Sequence, residues 1–266
     1  MRIFFLVFVF FTFQVVPAFA LTLAGTGDSE TLLQRLATEY QGLHPDKSVE
    51  VPPSVGSSGG IRMLQQGRAD LARVARPLRE QETQQGLHWH KFASVPIVFV
   101  ANLPQSCLSD LSSTQLLNLF NGSYKRWSQL GNCPDQKIYL AKREEDDSSN
   151  RILFDKIPGL RELKNLAGKT IYTTRETFEI ITAHPYTLGY LPLSQVANSS
   201  LTQFSINGVE ANSATVINQT YTLQLPLALV WKEPLPEEAR SFLEFLNSPK
   251  AQGVIGSFGA VPVSGQ

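Results

Sequence analysis

Two hydrophobic rhythms take turns along this chain. Short apolar runs suited to strands are each followed by segments whose apolar residues recur at helical spacing, the order of an α/β architecture. Leu21–Ala24 predicts a short strand and Gly25-Thr26-Gly27-Asp28-Ser29 a turn. A helix then spans about Glu30–Gly42, with Leu32, Leu33, Leu36 and Tyr40 on one face. Val49-Glu50-Val51 is a second β-prone run that feeds a Ser/Gly turn over residues 54–60, and the turn opens into a helical pattern over Ile61–Gln66. Ala69–Val74 reads as a strand and Arg79–Gly86 as a polar helix. Val95–Ala101 is almost wholly apolar, as expected of a strand buried on both faces.

Near Asn102 the character changes. Ser112-Ser113-Thr114 caps a helix through Leu116, Leu117 and Phe120 that ends at Asn121-Gly122. Ile138–Leu140 is a strand that delivers Arg143-Glu144-Glu145-Asp146-Asp147-Ser148-Ser149 to the head of a helix over Asn150–Lys156. Tyr190–Pro192 and Leu201–Ile206 read as further strands, and Leu223–Trp231 as a second long apolar one. Helices over Glu237–Leu246 and Pro249–Phe258 precede Val261-Pro262-Val263. The two long apolar strands bracket the middle third, so the chain can leave one lobe, build another and return. No internal repeat or low-complexity tract interrupts the pattern.

The first 20 residues stand outside it. Arg2 is a minimal positive start, Ile3–Val16 an apolar run and Ala18-Phe19-Ala20 a small-x-small cleavage site, so residues 1–20 predict a secretory signal peptide and a periplasmic mature protein. The run is short for a membrane anchor, which needs about 20 apolar residues. The 23 Lys and Arg residues balance the 23 Asp and Glu residues, and no basic run breaks the balance. A near-neutral chain of this kind is not built for nucleic acid, and any attraction for an anion must be local. Cys107 and Cys133 are the only cysteines. In an oxidising compartment they suggest one disulfide, worth roughly 3–4 kcal/mol in the chain-entropy picture. The four histidines, His44, His88, His90 and His184, are scattered and do not form a zinc pattern.

Candidate chemistry concentrates at three helices predicted to begin with serine: Ser29 before Glu30, Ser57-Ser58 before Gly59-Gly60-Ile61, and Ser148-Ser149 before Asn150. A serine in such a place can be an ordinary N-cap worth about 1 kcal/mol. It can also join unpaired helix N–H groups in an anion cradle, because the first turn carries roughly half a positive charge. All three lie at strand-then-turn junctions, where ligands collect in open α/β sheets. Arg143, five residues before Ser148, adds a planar cation that pairs with oxyanions. A different reading takes Gly56-Ser57-Ser58-Gly59-Gly60 as the G-x-S-x-G turn of a serine hydrolase, with Ser58 as nucleophile and His184 as the histidine that follows in chain order. Here the double glycine after the serine and the missing oxyanion glycine run weigh against an enzyme. A third reading is a module that senses an oxyanion or docks a partner without transport.

Taken together, Gly25-Thr26-Gly27-Asp28-Ser29, Val55-Gly56-Ser57-Ser58-Gly59-Gly60-Ile61, Arg76-Pro77-Leu78, Leu188-Gly189-Tyr190 and the tail from Leu225 to Val263 resemble a phosphate-type periplasmic solute-binding protein of an ABC importer. The resemblance implies a two-lobed α/β fold of the type 2 periplasmic-binding-protein superfamily, each lobe a mixed sheet flanked by helices, joined by two crossover strands. Lobe one would comprise residues 21–100 and 223–266, and lobe two residues 101–222. It implies a monomer that binds inorganic phosphate or a related tetrahedral oxyanion, without a cofactor, and passes it to an inner-membrane permease. By position, the ligand contacts fall on Ser29, the N–H of Glu30, Ser57 with Ser58 beside it, Arg143, Ser148 and Ser149. The family commonly places a proton-accepting aspartate two residues before Pro-Leu, where this chain has Ala75. Asp146 or Asp147 is a candidate substitute, and Arg73 and Arg76 are further candidate cations.

Overall fold

The structure, a computed structural model, describes residues 20–104 and 107–263; the predicted leader lies outside them except for Ala20. The chain order is β1 Ala20–Gly25, α1 Glu30–Leu43, β2 Ser48–Glu50, α2 Gly56–Gln65, β3 Leu71–Val74, α3 Glu80–Gln84 and β4 Leu87–Ala101. It continues with β5 Asp110–Leu111, α4 Ser113–Phe120, β6 Tyr139–Arg143, α5 Ser148–Lys156, β7 Lys169–Ile171, α6 Thr174–Ala183, β8 Thr187–Pro192 and α7 Leu193–Val196. β9 Thr202–Ile206, α8 Ser213–Ile217, β10 Gln224–Lys232, α9 Glu237–Leu246, α10 Pro249–Ser257 and β11 Val261–Pro262 complete it.

The sheet path β2-β1-β3-β10-β4-β8-β6-β7 turns on β4. Its residues Leu87–Pro96 pair antiparallel with β10, while Ile97–Ala101 pair with β8. The apolar run found in the sequence is the part of β4 buried on both faces, with Val95 and Ile97–Ala101 at 1% exposure or less. The returning chain crosses at the same level: the Ile97 N–H donates to the Leu223 carbonyl and the Tyr221 hydroxyl to the Ile97 carbonyl. On one side of β4, β1 pairs in parallel with β2 and β3; on the other, β6 pairs in parallel with β7 and β8. The carboxyl ends of β1, β3, β6 and β7 therefore open into turns that build one region. No helix among the described residues is long and apolar enough to cross a membrane.

Two local departures from the sequence reading matter for the site. First, α2 starts at Gly56, so the Ser/Gly segment is the first turn and a half of the helix and not a loop before it. Gly56 takes a φ of +71°, open to glycine at little cost. A Cβ on Gly60 would lie 2.6 Å from the Ala24 carbonyl oxygen and from Gly25 Cα, so this glycine sets how closely α2 packs on β1. Second, β7 and α6 do not stand out in the hydrophobic pattern, because the segment is short and rich in threonine. Thr173 followed by Glu176 is a helix-start signal that could have found α6, and the Thr173 hydroxyl does accept the Glu176 N–H. The predicted disulfide is present: Cys107 and Cys133 are joined, with Cα atoms 5.1 Å apart.

Candidate functional site

None of the three serine groups serves as a side-chain cap. Ser29 occupies the N-cap position of α1 without a capping hydrogen bond; Val55 precedes α2; and Asp147 caps α5 by accepting the Ser149 N–H at 2.9 Å. The hydroxyls are thus left for other partners. Ser29 Oγ is buried and has no hydrogen-bond partner among the described residues. A buried, unsatisfied hydroxyl costs about 1–3 kcal/mol unless something completes it. Ser57 Oγ accepts the Ala75 N–H at 3.2 Å, which leaves its own hydrogen to donate, and it lies 3.4 Å from Ser148 Oγ. Ser148 and Ser149 are both buried at the start of α5. The starts of α2 and α5, which follow β2 and β6 on opposite sides of β4, thus meet directly.

Arg143 ends β6 in the same region. Its Nη2 and Nε donate to Asp147 Oδ2 at 2.7 and 3.2 Å, its Nη1 to the Thr177 hydroxyl at 3.0 Å and its Nη2 to the Tyr172 carbonyl at 3.3 Å. Behind it the Tyr190 hydroxyl accepts the Arg143 N–H at 2.8 Å and donates to Asn150 Oδ1, and Asn150 in turn donates to the carbonyls of Arg143 and Glu144. Burial opposes the Arg143 charge, but Asp147 and Asp28 more than offset it and its pKa is raised. The guanidinium is held in one orientation and stays charged.

Asp28, which the sequence reading left in a turn, is buried in this cluster. Its Oδ2 accepts the Thr26 hydroxyl at 2.9 Å and its Oδ1 the Thr174 hydroxyl from α6 at 3.0 Å. Burial first, then repulsion from Asp147, pushes its pKa up to about 6, against the opposing pull of Arg143 and the two hydroxyls. Thr174 and Thr177, both fully buried on α6, are site residues that sequence reasoning missed along with their helix.

The remaining candidates sort differently. The Glu30 N–H donates to the Gly27 carbonyl, and its carboxyl stands 3.8 Å from Arg73, raised in pKa mainly by burial. Arg73 is wholly buried, donates to the Pro52 carbonyl at 2.7 Å, and is lowered to about 10 by burial. Arg76 is taken up by a two-pronged pair with Glu82, both contacts 2.8 Å, and reaches Ser58 Oγ only at 3.4 Å. Asp146 is exposed, and Asp147 is committed to Arg143 and the α5 cap. The hydrolase arrangement is not assembled: His184 lines an apolar groove of about 800 Å³ with Tyr139 and Lys169, at the opposite end of β6 from Arg143. Among the described residues no cluster of metal-ligating side chains occurs.

A profile of the PBP superfamily domain matches residues 17–250. The chain belongs to the PBP superfamily. Among curated relatives of this family member is the phosphate-binding protein PstS of Bacillus subtilis, 27% identical over 248 residues, spanning 92% of this chain and 81% of that protein. A putative phosphate ABC transporter substrate-binding protein from Clostridium perfringens, solved with bound phosphate, superposes with a TM-score of 0.82 at 23% identity, covering 92% of this chain and 99% of the other. An ABC-type phosphate transport receptor from Vibrio cholerae gives 0.67 at 26% identity, over 91% and 99%. The two-lobed type 2 fold expected of this superfamily member is the fold observed, a mixed sheet on either side of β4 flanked by helices.

Proposed function

We propose that this protein binds inorganic phosphate, or a closely similar tetrahedral oxyanion, outside the cytoplasm and passes it to an ABC importer permease in the inner membrane, without chemical change to the ligand. The observation that carries the reading is the buried hydroxyl of Ser29, which has no partner among the described residues; in support, the Ser57 and Ser148 hydroxyls meet, and Arg143 acts on Asp28, the residue before Ser29. Hydroxyls and helix N–H groups donate to oxygens, and a fixed guanidinium supplies the balancing charge in a water-poor setting. The ligand contacts are Ser29, Ser57, Arg143, Ser148 and Ser149, with Ser58 at the margin; the Glu30 N–H expected among them is spent on the Gly27 carbonyl. The relatives named for phosphate binding and phosphate transport support this choice of anion and of membrane partner.

Residues 1–20 act as the cleaved leader, and the mature protein works as a monomer in the periplasm. Lobe one comprises residues 21–100 and 223–266 and lobe two residues 101–222, a division supported by the change of β4 partner between Pro96 and Ile97. Closure about this crossing buries the anion.

The test is calorimetric titration of ligand-stripped protein with phosphate, sulfate, molybdate and tungstate. Phosphate should bind, and Arg143→Ala should weaken it by about 2 kcal/mol, roughly thirtyfold, the loss expected for a charge-assisted contact. No heat from any of the four anions would sink the assignment, and unchanged affinity in the variant would remove Arg143 from the site.

A further inference from the structure

The groove that holds His184 is separate from the anion site. Tyr139, in its lining, opens β6, and Arg143 closes that strand about 13 Å further along, at roughly 3.3 Å per residue. The groove lies against β6, β7 and the C-terminal ends of α4 and α6. Its volume of about 800 Å³ is that of a small-molecule pocket, roughly 300–1,000 Å³. The lining is mostly apolar, with Leu119, Ile138, Leu140, Ile171 and Ile180 among its residues. Tyr139 keeps 52% of its surface exposed there. Apolar area left in water favours a ligand that covers it.

The charges of the lining have one sign. Lys125, Lys137 and Lys169 join His184, and no carboxylate lines the groove. None of the three lysines forms an ion pair among the described residues. Lys137 Nζ instead stands 5.1 Å from the centre of the Tyr139 ring. The ends of α4 and α6 oppose this excess with about half a negative charge each, against three full positive ones. The chain as a whole balances 23 basic against 23 acidic residues, so the excess is local. A small hydrophilic anion would leave the apolar lining wet, and a neutral apolar molecule would leave the ammonium groups unused. A ligand with an aliphatic chain and one anionic head answers both features.

We propose that this groove is a second binding site, independent of the phosphate-type site, for an aliphatic carboxylate of fatty-acid type. The chain lies along the apolar lining, and the carboxylate is held by Lys125, Lys137 and Lys169. The long lysine stems add apolar contact of their own.

The experiment is calorimetric titration of full-length mature protein with laurate below its micellar concentration, with dodecyltrimethylammonium as the cation of equal chain length. Laurate should bind saturably, one per protein, and about tenfold or more tighter than the cation. Lys137→Glu with Lys169→Glu, both exposed positions, should weaken laurate about tenfold or more and leave phosphate affinity within about twofold. Saturating phosphate should not displace laurate. Absence of laurate binding, equal affinity for the cation, an unaffected double variant or competition with phosphate each overturns the proposal. Cosedimentation with phosphatidylglycerol vesicles without saturable laurate binding overturns it too, and gives the face to a membrane surface. Protein that binds laurate but no phosphate leaves this site standing and overturns only the function proposed above.

Discussion

Ser57 Oγ and Ser148 Oγ lie 3.4 Å apart although 91 residues separate them in the chain. The contact ties the start of α2 to the start of α5, and with them the two sides of the sheet that share β4. Because the Ala75 N–H already donates to Ser57 Oγ, the Ser57 hydroxyl keeps its hydrogen to donate. One side chain from each side of β4 makes this contact.

The electrostatics of Asp28 set an unusual pH dependence of stability. Its carboxyl titrates at about 6 in the folded protein against an ordinary 3.8. Between those values the folded state holds more protons on this group than the unfolded chain does. Its contribution therefore falls as pH rises through the window, by about 3 kcal/mol in all, opposite in sign to a salt-bridged carboxylate. Asp28→Asn should be more stable than wild type above pH 6 by up to this amount, and the advantage should vanish near pH 4. Urea midpoints at pH 4 and pH 7 check it; a gap between the two proteins that does not change with pH would show that Asp28 is not held out of its ordinary range.

Gly60 is the contact point between α2 and β1, with backbone atoms 2.6 Å from where a Cβ would sit. Gly60→Ala should cost roughly 1–3 kcal/mol as overpacking forces the helix away from the strand. It should weaken anion binding too, because Ser57 moves with α2. Gly253→Ala is the matching control: the added Cβ there meets nothing within 4 Å, and an alanine inside α10 should be neutral or stabilising by up to about 1 kcal/mol. Equal losses in the two variants, read by thermal denaturation, would place the cost in the helices and not in the contact.

The Cys107–Cys133 bridge closes a loop with a sequence separation of 26. Its removal by Cys107→Ser with Cys133→Ser should lower stability by roughly 3–4 kcal/mol through the freedom returned to the unfolded chain. No hydrogen bond joins either cysteine to Ser29, Ser57 or Arg143 among the described residues, so anion affinity at 25 °C should stay within about twofold. A large fall in affinity with little loss of stability would reverse that assignment.

The sequence by itself determined the alternation of elements, the two long apolar strands and the disulfide. These are local signals: an apolar run such as Val95–Ala101 or a cap such as Ser112 is written within a few neighbouring positions. It did not reveal α6, where Phe178 and Ile181 give only a thin apolar stripe, and so it missed Thr174 and Thr177. Nor could it tell that Asp147, and not a serine, caps α5, that Arg76 is spent on Glu82, or that Asp28 is buried without a cation. Only the tertiary structure decided those points. Whether a carboxylate is paired, solvated or stranded depends on what segments dozens of residues away bring to it, and a buried charge is defined by those neighbours and by the water they exclude.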